Sequence, residues 1–239
     1  MLLDIYKDSF EYGFKNVYTL LKLGLLSLFS FLLIPAFLVL GYNYRIVKVA
    51  TAGMINGDDP LPEMNEWTSM LVDGVKYFIV VAIYFIIPLV ILFASFYFSS
   101  YNPILFPIGV LITLILIFIA CLFIIIAIPN MTEHNDSIKA AFDFKEIVNI
   151  FKSVGTLRYI GFYIGLLIIM FAITLMVSLI LIVILSILGF ATLYALPTQG
   201  LLIGSVMGII IQAILALFVA PYLSIFEHRC EGLIFNIRE

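Results

Sequence analysis

Three apolar stretches set the organisation of this chain. Residues 23–44, 77–132 and 159–226 contain no Asp, Glu, Lys, Arg or His, over 22, 56 and 68 positions. A helix needs about 20 apolar residues to cross a hydrocarbon core about 30 Å thick. The first stretch therefore fits one span, and each of the others fits two spans with a short connection. The pattern predicts an all-α, polytopic helical membrane protein: a single integral membrane domain over residues 1–239. It predicts five spans at about 23–44, 77–98, 104–128, 160–188 and 200–226. The turn "SSYNP" (99–103) joins the second and third, and the neutral "GFATLYALPTQ" (189–199) joins the fourth and fifth.

Pro35 offers an alternative for the first stretch, because proline breaks a helix interior. A re-entrant hairpin there would leave both flanks on one side. Each arm of about 11 residues would reach roughly 16 Å, half of the hydrocarbon. The full span is the favoured reading.

Polar segments between the spans carry helical periodicity of their own. In "DSIKAAFDFKEIVNIFKSVG", Phe144, Ile147, Val148 and Phe151 follow i, i+3, i+4, i+7, and Lys139, Asp143, Glu146 and Lys152 avoid that stripe. Such a helix lies in the membrane interface. Asn135 or Asp136 can cap its start and Gly155 can end it. Residues 1–22 form an amphipathic N-terminal helix with Leu3, Tyr6, Phe10, Phe14 and Val17 on one face, and 64–76 form a third. The loops 45–76 and 129–158 are thus partly helical.

Composition and charge sharpen this picture. The mean hydropathy is +1.22, with 64% hydrophobic and 11% charged residues, whereas soluble domains carry roughly a quarter charged residues. Basic loops stay in the cytoplasm. An N-out, C-in orientation in the cell membrane places nine of the twelve basic residues inside and leaves Lys7, Lys15 and Lys22 outside. Six charges before the first apolar stretch argue against a cleavable signal peptide. Cys121 and Cys230 do not make a disulfide framework. The net charge of −3 gives no reason to expect nucleic acid, and the expected partners are membrane lipids with, on the cytoplasmic face, a protein.

Candidate chemistry is sparse. Gly200, Gly204 and Gly208 recur every four residues, and Ala216 and Ala220 continue the register, with Gln212 filling the gap. Small residues so spaced let two helices approach closely, and "GFYIG" (161–165) supplies a partner ridge. This predicts a packing seam with Gln212 turned into the bundle. Intramembrane ionisable groups mark ion and proton pathways, and the spans contain none. "NMTEHND" (130–136) and "EHRCEG" (227–232) bring His134 and His228 to membrane edges, but neither has the HExxH spacing of a metal site. Both read as solvated polar caps, so no catalytic residue, cofactor or metal site is expected. In "GMINGDDPLPEMNEW" (53–67), Asp58, Asp59 and Glu63 read as a solvated turn before Trp67 anchors the next helix. A divalent cation and a basic partner are the alternatives.

The segment "GYNYRIVKVATAGMINGDDPLPEMNEWTSMLVDGVKYFIV" (41–80) resembles the signature of an uncharacterised membrane-protein family found mainly in archaea, number 4013 among the domains of unknown function. The matching positions are Gly41, Tyr42, Arg45, Gly57, Leu61, Pro62, Glu63, Trp67, Asp73, Gly74 and Lys76. "AAFDFKEI" (140–147) resembles the family's second motif. The resemblance implies a helical membrane domain without an assigned activity. A non-enzymatic scaffold or accessory protein with a partner- or lipid-facing cytoplasmic surface is the leading expectation, and a channel or facilitator for a small neutral or lipidic solute is the alternative.

Overall fold

The computed structural model describes residues 2–195 and 200–238, and all regular structure among them is helical. In chain order the helices are α1 (Leu2–Gly13), α2 (Val17–Leu28), α3 (Leu33–Ala52), α4 (Trp67–Phe98), α5 (Leu105–Glu133), a 3-10 turn (Ala140–Phe142), α6 (Phe144–Val154), α7 (Thr156–Ala195), α8 (Gly200–Ile214), a π-helical turn (Leu215–Val219) and α9 (Ala220–Phe235). Five helical stretches are long and apolar enough to cross a membrane: Leu33–Ala52, Trp67–Phe98, Leu105–Glu133, Thr156–Ile187 and Val206–Phe235.

The first apolar window is not one span. Residues 23–44 are divided between α2 and α3, and Leu32 is extended (φ −90, ψ 139) at the break. The cause lies in Pro35, whose ring cannot sit beneath the carbonyl four residues earlier in a continuous helix. In the structure Pro35 falls in the first turn of α3, where no intrahelical N–H is needed. The chain therefore runs out through α2 and returns through α3. Lys15, before α2, meets Asp58, after α3, at 3.2 Å, so both flanks lie at one end of the molecule. The expected placement of the N-terminus opposite the C-terminus is overturned by this contact and by the Arg229–Asp8 pair at 2.9 Å. All twelve basic residues now fall at that end, because α4, α5, α7 and the α8–α9 unit each run between the two ends. Lys22, one turn and a half into α2, directs its ammonium back over the Tyr18 ring, 4.4 Å from its centroid. The hairpin tip instead exposes Phe31 and Leu33, as suits immersion in hydrocarbon.

Other boundaries shift for similar reasons. The interfacial helix expected at 64–76 and the second span are one helix, α4, since nothing between Trp67 and Phe98 interrupts the hydrogen bonds except Pro88. The fourth span extends through Ala195, and residues 196–199 of the expected connection lie outside the described residues. α6 is present, but its cap is Asp143, which accepts the Glu146 N–H at 3.1 Å. Asn135 and Asp136 instead form a left-handed turn (φ 54 and 60), and Gly155 (φ 92) ends the helix.

The core is concentrated at the charged end. Its buried residues come from α1, the first half of α2, the second half of α3, the start of α4, residues 120–131 of α5, the inner face of α6, the start of α7, and α9. Towards the other end α4 packs on α5, and α7 on α8, but the two hairpins make little contact with each other. We predict that single cysteines placed at Lys15 and Glu63 are labelled from the same side of the membrane by an impermeant thiol reagent; labelling from opposite sides would restore a complete first span.

Candidate functional site: a buried ion network at the charged end

The last helix owes its position to an arginine. Arg229 on α9 is fully buried, and removing an ion from water costs several kcal/mol unless charges and hydrogen bonds replace the solvent. Here Nε donates to Asp8 Oδ1 at 2.9 Å and Nη2 donates to Asp59 Oδ2 at 2.8 Å. The Tyr12 ring covers the guanidinium at 4.4 Å, a cation–π contact strengthened by desolvation. Asp8 uses its other oxygen to accept the Asn56 N–H at 2.6 Å, and Asn56 is left-handed at φ 59. One guanidinium thus joins α1, the loop after α3, and α9.

The acidic loop is tied down along its whole length. Tyr12 and Tyr42 donate their hydroxyls to the carbonyls of Pro60 and Pro62, at 2.9 and 3.1 Å. Arg45 donates to the Asn65 carbonyl at 2.9 Å and reaches Asp73 at 3.4 Å. Lys15 bonds the Asp59 carbonyl at 2.9 Å as well as Asp58. Glu63 accepts from Asn65 at 2.8 Å. The expected solvated turn is thus a strap docked through its backbone and Asp59 to the chain's own Arg229, Arg45 and Lys15, while Asp58 and Glu63 stay exposed to solvent. Trp67 begins α4 and remains half exposed.

The motif residues have packing roles. A Cβ on Gly41 would strike the Met70 carbonyl, and one on Gly74 would strike the Phe37 carbonyl, so the two glycines let α3 and α4 cross at backbone distance. Lys76 donates to the Asp136 carbonyl at 3.3 Å. The Asp136 side chain accepts from Tyr44 at 2.6 Å and from Lys48 at 2.7 Å. Burial works to raise its pKa, but the bonds from Lys48 and Tyr44 and the nearby Lys76 charge outweigh it and hold the carboxyl below its ordinary value. The second motif is anchored too: Tyr84 donates to the Ala141 carbonyl at 2.8 Å and stacks on Phe142.

The glycine series on the last span behaves differently from expectation. Gly208 and Gly161 each have nothing within 4 Å of a Cβ position. Gln212 is exposed, Ala216 half-buried in the π turn and Ala220 exposed. Gly200 and Gly204 lie in α8, but their surroundings fall outside the described residues. α7 and α8 thus do not close through Gly161 or Gly208, and Gln212 does not turn inward. The close approach of this unit is made lower down, where Gly24 of α2 lies against the Leu217 carbonyl. An α-helix would pair that carbonyl with the N–H of residue 221, and Pro221 has none. The π turn and the abutting glycine both follow from that missing donor. Gly232 serves the same purpose against Val47 and Ala50 of α3.

"EHRCEG" is the largest departure. It is not a solvated cap: His228, Arg229, Cys230 and Glu231 are all buried. His228 Nδ1 lies 2.7 Å from the Ser224 carbonyl and Nε2 lies 3.0 Å from the Tyr77 hydroxyl. In the other segment, His134 faces Glu146 at 3.6 Å, so the two histidines occupy separate places. Among the described residues no three His, Cys, Asp or Glu side chains converge as metal ligands. The Asp8–Arg229 pair had no local signal, since its members stand 221 positions apart. The one hint was a run of charges directly following an apolar span.

Residues 28–182 match the family described as Protein of unknown function (DUF4013). The chain is 28% identical to the uncharacterized protein MJ0233 of Methanocaldococcus jannaschii over 244 residues, covering 99% of this chain and 84% of that protein. No solved structure matches the chain.

Arg229 is held by two carboxylates, so losing Asp8 leaves it paired with Asp59 alone, at a cost towards the lower end of the about 3–5 kcal/mol of a broken buried pair. Thermal unfolding in detergent should show a loss of that order for Asp8→Ala. The double replacement Asp8→Leu, Arg229→Met should recover much of it; an equal or greater loss in the double variant would show that the pair itself is strongly stabilising.

Proposed function

We propose, from the premise that the chain belongs to the DUF4013 family of proteins of unknown function, that it is a non-enzymatic membrane scaffold or accessory protein whose charged end meets anionic lipid headgroups through α6. The observation that carries this reading is how the charges are used. Asp8, Asp58, Asp59, Asp73, Glu133 and Asp136 are engaged by the chain's own basic residues. Lys139, Lys145 and Lys152, on and beside α6, are exposed and have no acidic partner among the described residues. Exposed Phe144 and Leu157 flank them, so apolar side chains can enter the interface where the ammonium groups reach headgroups. A lysine near an anionic membrane surface contributes about 1 kcal/mol. With all basic residues at one end, the positive-inside rule assigns that end to the cytoplasm of the cell membrane.

Native mass spectrometry of protein purified from its own membranes tests this. Retained anionic lipid, lost in Lys139→Gln/Lys145→Gln/Lys152→Gln, is the expected outcome. Release of a co-purifying protein by the same variant would support a protein partner instead, and no change in either would sink the reading.

A second reading, a facilitator for a small neutral or lipidic solute, draws on the separation of the α4–α5 and α7–α8 hairpins away from the charged end. It requires solute flux in proteoliposomes above that of empty vesicles. Normal flux in Gln212→Leu would remove Gln212 from the path.

A further inference from the structure

Glu231 is the buried carboxyl for which the fold makes no electrostatic provision. It sits on α9, 3% exposed, and its Oε2 is buried without a hydrogen-bond partner. It lies beyond Phe226, where the last charge-free stretch ends. The contrast with its neighbours is sharp. Asp8 has Arg229 and a backbone N–H, and Asp136 has Lys48 and Tyr44.

Each element around Glu231 offers something other than a cation. On its own helix, Glu227 stands one turn earlier and bears on it with like charge. Tyr77 of α4, Cys121 of α5, and Tyr159 and Tyr163 of α7 lie within its electrostatic reach. Two of these hydroxyls are committed elsewhere: Tyr77 to His228, and Tyr159 to the Leu122 carbonyl at 2.7 Å. The Ser224 carbonyl can only accept, so His228 Nδ1 carries a hydrogen; burial of the ring disfavours a second proton on Nε2, which then accepts from Tyr77. Arg229, two residues before Glu231, spends Nε and Nη2 on Asp8 and Asp59, and its Nη1 makes no bond to Glu231 or to any other side chain.

An ionised carboxylate without a cation or a full set of donors is costly to bury, whereas the neutral acid is far less so. We propose that Glu231 is a proton-binding site: the folded protein holds its carboxyl as the neutral acid, and release of that proton loosens α9 from the rest of the charged end. α9 docks on α3 through Gly232, directly after Glu231. Ionisation would place two negative charges one turn apart at that junction. The site is independent of the headgroup-binding role of α6, so the two proposals fail separately.

Linkage gives the sign. Unfolded, Glu231 ionises in the ordinary carboxylate range, near about 4.3. Folded, it keeps its proton to higher pH. Stability attributable to this residue is therefore complete below the unfolded value and falls as pH rises, until the folded site also deprotonates. One such proton changes the folding equilibrium tenfold per pH unit.

The test is infrared spectroscopy of the reconstituted full-length chain at pH 7, with thermal unfolding followed against pH. A carbonyl stretch of a protonated carboxylic acid is expected in the wild type, lost in Glu231→Gln and kept in Glu227→Gln. The alkaline fall in unfolding temperature should flatten in Glu231→Gln by the share due to one proton. Absence of the band from the wild type, its persistence in Glu231→Gln, or an unaltered pH slope overturns the proposal. Glu231→Met is the second variant. A site built for a neutral group accepts both replacements, so failure of both to fold also overturns it.

Discussion

A single desolvated guanidinium constrains most of this architecture. Arg229 can stay out of water only while Asp8 and Asp59 remain against it. Asp8 belongs to the first helix, and Asp59 to the loop following the third. Satisfying one side chain therefore fixes the N-terminal helix, the strap between α3 and α4, and the last helix relative to one another. Tyr12 adds its ring to the cation and its hydroxyl to Pro60, linking the ion network to the strap's backbone. The glycine crossings then become possible, because Gly41, Gly74 and Gly232 can meet neighbouring backbone only when those helices are already in register.

The division of labour along the membrane normal follows from the same arrangement. At the charged end, tyrosines, ion pairs and aliphatic side chains together build a core. Further along, α7 has a membrane window with no buried residue, and the two long hairpins rely on pairwise contact. In hydrocarbon this is tolerable, since lipid tails solvate leucine as well as another helix does. Specific packing is thus concentrated where water is near and the hydrophobic effect operates. The exposed lysines of α6 face outward from the part of the molecule that is best ordered by its own contacts.

The helical membrane class was legible in three charge-free windows, because the length of apolar runs is a one-dimensional property. The amphipathic α6 was legible for the same reason, through its stripe at Phe144, Ile147 and Phe151. The hairpin at Pro35 was visible as an alternative, but its arms looked too short to prefer. Tertiary contacts decide between the two, and these join distant positions: Lys15–Asp58, 43 apart, and Asp8–Arg229, 221 apart. The motif residues were recognisable as a set, while their reasons were not: Gly41 and Gly74 are explained by a crossing, Tyr42 and Arg45 by carbonyls of the strap. The four-residue glycine series told less than it suggested: of its described members Gly208 has nothing against it and Gln212 is exposed, since equal spacing on one helix does not by itself supply a partner. "EHRCEG" misled more seriously. A charged run at the end of a span resembles a solvated cap in sequence, and only tertiary contact reveals partners from residues 8 and 59.

The α2–α3 hairpin also bears on how such a chain is made. Because it enters and leaves at the same end, Lys7, Lys15 and Lys22 stay with the other basic residues and are not separated from them by hydrocarbon. The connection that must pass to the far side between α4 and α5, Ser-Ser-Tyr-Asn-Pro, carries no charge, and neither does the sequence joining α7 to α8. Insertion then becomes a matter of partitioning uncharged hairpins into the bilayer, with the ions kept together at one end. The Arg229 network needs α9, so α1 and the strap are locked together only once α9 has been made.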